Sequence, residues 1–287
     1  MRTMEDQKAK LPELPEPLPR PVIDSHTHLD TTEEVAGLSV HENLRLAASV
    51  GINKVVHVST DVPGSYWAVD FVANEPNVVV SLAIHPNDAA RMSSVAELDS
   101  QLGVIDELCG SVGVRGVGET GLDYYRTSSS DGIAKQKHSF ARHIEIAKER
   151  DLTLVIHDRE AHNDILRVLD ETGIPQRVIM HCFSGDADFA AECLSRNAWL
   201  SFPGTITYPN AINLREAALV TPLDRILVET DAPYLTAIPN RGRRNAPYLV
   251  PHLVRYLSEL LDVPLEELCD QLTANTEAAF NGAWGNE

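Results

Sequence analysis

The 287-residue sequence predicts an α/β fold, a (β/α)₈ TIM-like barrel. Three observations carry that expectation. Eight short runs rich in Val, Ile and Leu are bounded by turn residues. Segments with helical spacing separate them. Metal-binding residue types recur where the runs end.

The runs are PVIDSH (21–26), KVVHVS (54–59), VVVSLAIH (78–85), GVRGVGE (113–119), LTLVIH (152–157), RVIMH (177–181), AWLSF (198–202) and RILVET (225–230). Most are near-continuously apolar rather than alternating, as expected of parallel strands covered on both faces. Between them, HENLRLAASVG (41–51) ends on a glycine, a common helix stop. The stretch 93–109 places apolar residues at 95, 98, 102, 105 and 108, the spacing of one helix face. A longer amphipathic stretch, 132–151, carries Lys148 and Arg150 in its last turn, where cations suit the helix dipole. Two further helices are expected over about 246–261 and 264–280. A doubly wound open sheet is the structural rival, but no G-x-G-x-x-G follows an early strand.

Residues 1–20 carry prolines at 12, 15, 17 and 19, and read as an extended, poorly ordered tail that packs weakly if at all. Residues 21–287 are then a single barrel domain, close to the ~250 residues typical of the fold. No run reaches the roughly 18–20 apolar residues of a membrane span, and the first residues lack the apolar core of a signal peptide. Cys109, Cys182, Cys193 and Cys269 lie far apart, and reduced thiols in a cytoplasmic protein are the simple account. Strand alternation turns Cys182 away from His181, toward the core. Lys plus Arg is 24 against 42 for Asp plus Glu, a formal charge of −18. That opposes broad adhesion to nucleic acid or anionic lipid, although Arg241, Arg243 and Arg244 could act locally.

In a barrel of this kind reactive groups sit at the C-terminal ends of strands. The first run ends in His26 and His28, one residue apart and so on one face of a strand. Alone, an H-x-H is weak evidence. Later runs, however, end in Glu119, His157, His181 and Asp231. Each has a bland explanation as a half-buried histidine or a turn carboxylate, but chance must place all of them on one rim. Four imidazoles and two carboxylates exceed one tetrahedral site and suit two divalent ions, Zn, Mg or Mn, that share a carboxylate and a water.

Read in order, VIDSHTHLD, IHP, GETGLDYYR, VIHDRE, HCFSG, TDAPYL and the terminal ANTEAAF resemble the TatD family, metal-dependent hydrolases that include TatD-like deoxyribonucleases. The resemblance runs from about residue 21 to about 280. It implies an amidohydrolase-type barrel and a divalent-metal deoxyribonuclease, often a 3′→5′ exonuclease on single-stranded DNA ends. By motif, His26, His28 and Asp231 would hold one metal and His157 and His181 the other, with Glu119 bridging. Asp231 would also take the proton from the attacking water. His85 matches the family's G-x-H-P motif, with Ala83 in place of the glycine, and together with Arg126 and Arg159 is expected to contact substrate. RGRRNAPYLV departs from the family's R-N-E-P pattern by Ala246, and PGTITYPNA departs at Pro203.

Two rivals stand beside the nuclease. One is a hydrolase of carboxylic ester or amide bonds (a D-aminoacyl-tRNA deacylase, lactonase or amidase) on the same metal pair. The other is a metal-stabilised scaffold without turnover, which the intact ligand set opposes. The oligomeric state is left open, a monomer among the options.

Overall fold

The computed structural model describes residues 11–285. Eight parallel strands follow one another in chain order around one sheet: β1 Val22–Thr27, β2 Ile52–Val58, β3 Val78–Leu82, β4 Val114–Asp123, β5 Thr153–Arg159, β6 Val178–Met180, β7 Ala198–Phe202 and β8 Ile226–Val228. The ring is nearly closed. Thr27 bridges Ala232 in parallel, Asp231 N donates to His26 O at 3.0 Å, and His28 N to Ala232 O at 3.0 Å. Every expected strand is present to within a few residues.

The apolar runs divide by residue parity, because successive strand side chains face opposite ways. Val79, Val155, Ile179 and Leu227 point into the barrel with Ile23, Val56 and Val58. Their neighbours Val80, Leu154, Ile156, Val178 and Met180 face the surrounding helices. All are almost fully buried, so a polar residue at either parity would lose contacts on one side.

The expected helices form as Val40–Ser49, Val95–Leu108, Ser130–Glu149, Val250–Leu261 and Leu265–Ala279. Ser39, Ser94 and Ser129 cap the first three by accepting from Glu42 N, Glu97 N and Gly132 N, which satisfies otherwise unpaired donors. The 130–149 helix buries Phe140 and Ile144 completely, each contributing about 1.5–3 kcal/mol. Among the described residues no helix is long and apolar enough to cross a membrane.

Two glycines draw β4 against β5 at the height of the site. A Cβ on Gly118 would meet the Val155 carbonyl oxygen at 2.5 Å, and one on Gly121 the His157 carbonyl oxygen at 2.1 Å. Gly121 also has φ +140, which side chains rarely adopt. Glu119 stands between them.

The expectation of a weakly packed tail is corrected for residues 11–20; residues 1–10 lie outside the described residues. Leu18 is buried and its N–H donates to Val50 O. Arg243 Nη2 donates to Leu11 O at 2.8 Å, the Tyr248 hydroxyl to Pro12 O at 2.7 Å, and Arg255 Nη2 to Pro17 O at 2.9 Å. Prolines remove donors from this segment but leave its carbonyls free to accept.

Candidate active site

A cleft of about 800 Å³ opens at the C-terminal ends of the strands, lined among others by His28, His85, Glu119, Arg126, His157, Arg159, His181 and Asp231. His26, buried at 1% exposure, lies beneath it. The structure therefore brings all nine residues expected from the sequence to one mouth, and Glu119 is at its centre. His181 Nε2 lies 3.0 Å from Glu119 Oε2, His157 Nδ1 3.4 Å from the same oxygen, and His26 Nε2 4.0 Å from it. Glu119 Oε1 faces His28 Nε2 at 3.8 Å and His85 Nε2 at 3.6 Å. Asp231 Oδ1 lies 3.4 Å from His28 Nε2 and 3.9 Å from His26 Nε2.

Ligand atoms of His26, His28 and Asp231 converge within 4.8 Å of one another, as do those of His26, Glu119 and His181. The first set is the one the motifs predict. The rings of His157 and His181 are 6.2 Å apart, each against Glu119 Oε2. His85 Nε2, Glu119 and His157 also converge, yet His85 is ill suited to bind a metal. Its Nδ1 accepts from Asn87 N at 3.0 Å, so in the neutral ring Nε2 carries the hydrogen. Burial drives the His85 pKa down to about 3. His85 thus caps the Pro86–Arg91 helix and presents an N–H to the cleft.

His28 is oriented the other way. Its Nδ1 donates to Val58 O at 2.8 Å, which leaves Nε2 toward the carboxylates. Against the desolvation that burial imposes, Asp231 and Glu119 lift the His28 pKa to about 9. His157 is likewise lifted to about 9, burial being outweighed by Asp123 and Glu119. His181 is raised well above its ordinary value, with burial opposed by Glu229 and then Glu119. His26 is held well below it by burial and by the His181 ring, stacked on it at 3.5 Å.

These residues fit divalent cations. Both ring nitrogens of the buried His26 lack a hydrogen-bond partner, a costly state that a cation would relieve. The converging donors are imidazole nitrogens and carboxylate oxygens, the mixed set that suits zinc, manganese or a similar ion. Asp231 and Glu119 raise the proton affinity of the histidines beside them, the same negative charge that bound cations would offset.

Several contributors were not singled out in the sequence. Glu229, fully enclosed, places Oε1 3.0 Å from His181 Nδ1 and accepts from Cys182 N at 2.8 Å. It stands two residues before Asp231, and that spacing was the available signal. Asp123 faces His157 Nε2 at 3.4 Å and accepts from Arg126 N at 2.8 Å. Asp24 pins the end of β8 by accepting from Thr230 N and Oγ1. Cys182 corrects the expectation of a core side chain: φ +45 breaks strand alternation there, and the residue lines the cleft. Ala246 is completely buried; its neighbour Asn245 ties the loop down by donating to Thr230 O and Tyr234 O.

The sequence family described as TatD related DNase matches residues 23–281. The uncharacterized metal-dependent hydrolase TatD of Mycobacterium tuberculosis is 37% identical over 266 residues, 92% of this chain and 99% of that one. The uncharacterized metal-dependent hydrolase YcfH of Escherichia coli is 36% identical over 265 residues, covering 91% and 96%. The crystal structure of the E. coli TatD homolog YjjV superposes with a TM-score of 0.83 at 26% identity, covering 91% of this chain and 98% of that one. With the barrel, the cluster at its mouth and this extent of likeness, the chain belongs to the TatD family of metal-dependent hydrolases.

Proposed function

We propose that the chain hydrolyses phosphodiester bonds of DNA, at single-stranded ends and in the 3′→5′ sense, with two divalent ions. The observation that carries the reading is a pair of uncompensated cations beside the histidine–carboxylate cluster. Arg126 and Arg159 line the cleft, and neither forms an ion pair among the described residues, whereas Arg142, Arg150, Arg167, Arg177 and Arg196 each do. In a chain of net charge −18, unpaired guanidinium groups at a cleft suit an anionic substrate held bidentately. The DNase in the family's name agrees with this reading.

His26, His28 and Asp231 would hold one ion and His157 and His181 the other, with Glu119 able to serve both. Ions held there would supply Lewis acidity, lowering the pKa of a bound water and offsetting charge on the displaced oxygens. Asp231 accepts the proton of the attacking water at Oδ. Arg126 and Arg159 orient the phosphodiester, and His85 Nε2–H donates to a phosphate or leaving-group oxygen. Glu229 keeps His181 in register by holding Nδ1.

The test is turnover of metal-stripped protein reloaded separately with Mg²⁺, Mn²⁺ and Zn²⁺ on end-labelled single-stranded DNA, with a D-aminoacyl-tRNA and a generic ester alongside. Metal-dependent shortening from the 3′ end, reduced about 10²–10⁴-fold in Asp231→Asn, is expected. Intact DNA with cleavage of the ester or aminoacyl bond would overturn the substrate class.

A further inference from the structure

Two large aromatic rings stand exposed around the active cleft: Tyr234 lines it, and Tyr125 stacks on the cleft-lining Arg159. Tyr125 is 60% exposed and Tyr234 53%. Tyr125 lies two residues past the end of β4 and Tyr234 in the loop after β8, strands on opposite sides of a ring of eight in sequential order. Neither ring is explained by packing, and the polar cleft between them keeps them from forming one contiguous apolar patch of the kind that marks a protein interface.

Both platforms are built rather than loose. Tyr234 lines the cleft, its N–H donates to Asp231 O at 2.9 Å, and its carbonyl accepts from Asn245 Nδ2 at 2.7 Å. Its ring meets His28 edge-on, with centroids 6.3 Å apart. Tyr125 carries the Arg159 guanidinium 3.9 Å from its ring centroid, and Arg126 is its neighbour in sequence. Each platform therefore joins a flat π surface to a reactive or cationic group.

We propose that Tyr125, backed by Arg159, and Tyr234 stack the unpaired bases on either side of the scissile phosphate, while Arg126 and Arg159 take its oxygens. The proposal rests on the reading of the site as a DNA phosphodiesterase and adds what recognises the nucleoside. Aromatic platforms combined with cations bind single strands with little sequence preference, since every base offers a π face. A base inside a duplex has both faces covered by its neighbours, so the platforms select nucleotides already unstacked.

The test uses full-length protein and two fluorescein-labelled single-stranded oligonucleotides, one with all its bases and one abasic at the two nucleotides flanking the cleavage point. Binding is read by anisotropy in the Asp231→Asn background, where cleavage is suppressed, and KM is read in the metal-loaded protein with Asp231 intact. Tyr125→Ala and Tyr234→Ala should each weaken binding and raise KM about tenfold on the complete oligonucleotide, and change little on the abasic one. Tyr→Phe at each position should restore binding, because only the ring is required. Tyr66→Ala, exposed on the Val62–Val72 helix and outside both platforms, serves as the control and should match wild type. Equal losses on both oligonucleotides, or no rescue by Phe, would overturn the platforms and leave the nuclease reading standing. If the wild-type protein cuts neither oligonucleotide, the nuclease reading falls and the platforms fall with it.

Discussion

The two ends of the barrel are built from the same strands under opposite rules. At the N-terminal end the interior is closed by apolar rings: Phe280 and Trp284 pack with Trp199 beneath Val56, Val79 and Val155. Polar groups there find partners. Arg115 donates to the carbonyls of Phe280, Asn281 and Gly282, Lys54 pairs with Glu277 at 2.9 Å, and Thr153 donates to Ala279 O. At the C-terminal mouth, the ring nitrogens of buried His26 have no hydrogen-bond partner, and carboxylates and imidazoles crowd within 4 Å.

The backbone repeats the contrast. Left-handed residues at the N-terminal side are Asp151, Asn197, Asp262 and Asn281, all just past helix ends, where Asn and Asp tolerate that conformation. At the mouth they are Glu160, Cys182, Asp231 and Leu235. Most of these types pay more for it, and strain of about 1–3 kcal/mol per residue persists only where the surroundings impose it. One end supplies stability, which the other expends on holding reactive groups in place.

That contrast can be broken at either end. Phe280→Ala should cost about 3–5 kcal/mol of unfolding free energy, measured by urea titration, while kcat of the folded fraction stays unchanged. A drop in kcat beyond the unfolded fraction would mean that the two ends are coupled. Glu229→Gln acts at the mouth and should do the reverse. It removes the carboxylate facing His181 Nδ1 and should lower metal affinity about 10–100-fold, read by metal-titrated turnover, with little loss of stability.

His143 sharpens the comparison behind the mouth, where it accepts from Ile84 N and meets Thr120 Oγ1. Burial drives its pKa from 6.5 down to about 4. Between those values the unfolded chain binds a proton that the folded chain refuses. The stability due to neutral His143 is thus complete above pH 6.5 and is lost as pH falls toward 4. The linkage amounts to about 2 kcal/mol at pH 5. In unfolding titrations the advantage of wild type over His143→Gln should shrink by that amount between pH 7 and pH 5; a constant difference would contradict the assignment.

Much of this was readable from the sequence because strands buried on both faces are largely apolar, so chemically reactive residue types stand out near their ends. In this fold those ends stand at the mouth, which is why His26, Glu119, His157, His181 and Asp231 could be located together. What stayed hidden depends on contacts distant in sequence or on local backbone. Glu229 acquires meaning only by facing His181, 48 residues earlier on another strand. Cys182 was placed by strand alternation, which a single left-handed residue reverses. The arm at residues 11–20 lacks any periodic signal, and its docking depends on carbonyls that Arg243, Tyr248 and Arg255 happen to reach. Short helices such as Pro86–Arg91 and Ala187–Ser195 offer too few turns for a face to stand out.

Whether the crowded mouth takes up two cations can be measured directly, by calorimetric titration of metal-stripped protein with Mn²⁺ or Zn²⁺. The account predicts two equivalents per chain, with protons released on binding, since His28 and His157 are held near pKa 9 in the metal-free cluster and must give up protons to bind metal. It also predicts a reduced stoichiometry in His26→Ala. Binding of fewer than two ions by the wild-type chain, or uptake without proton release, would contradict it.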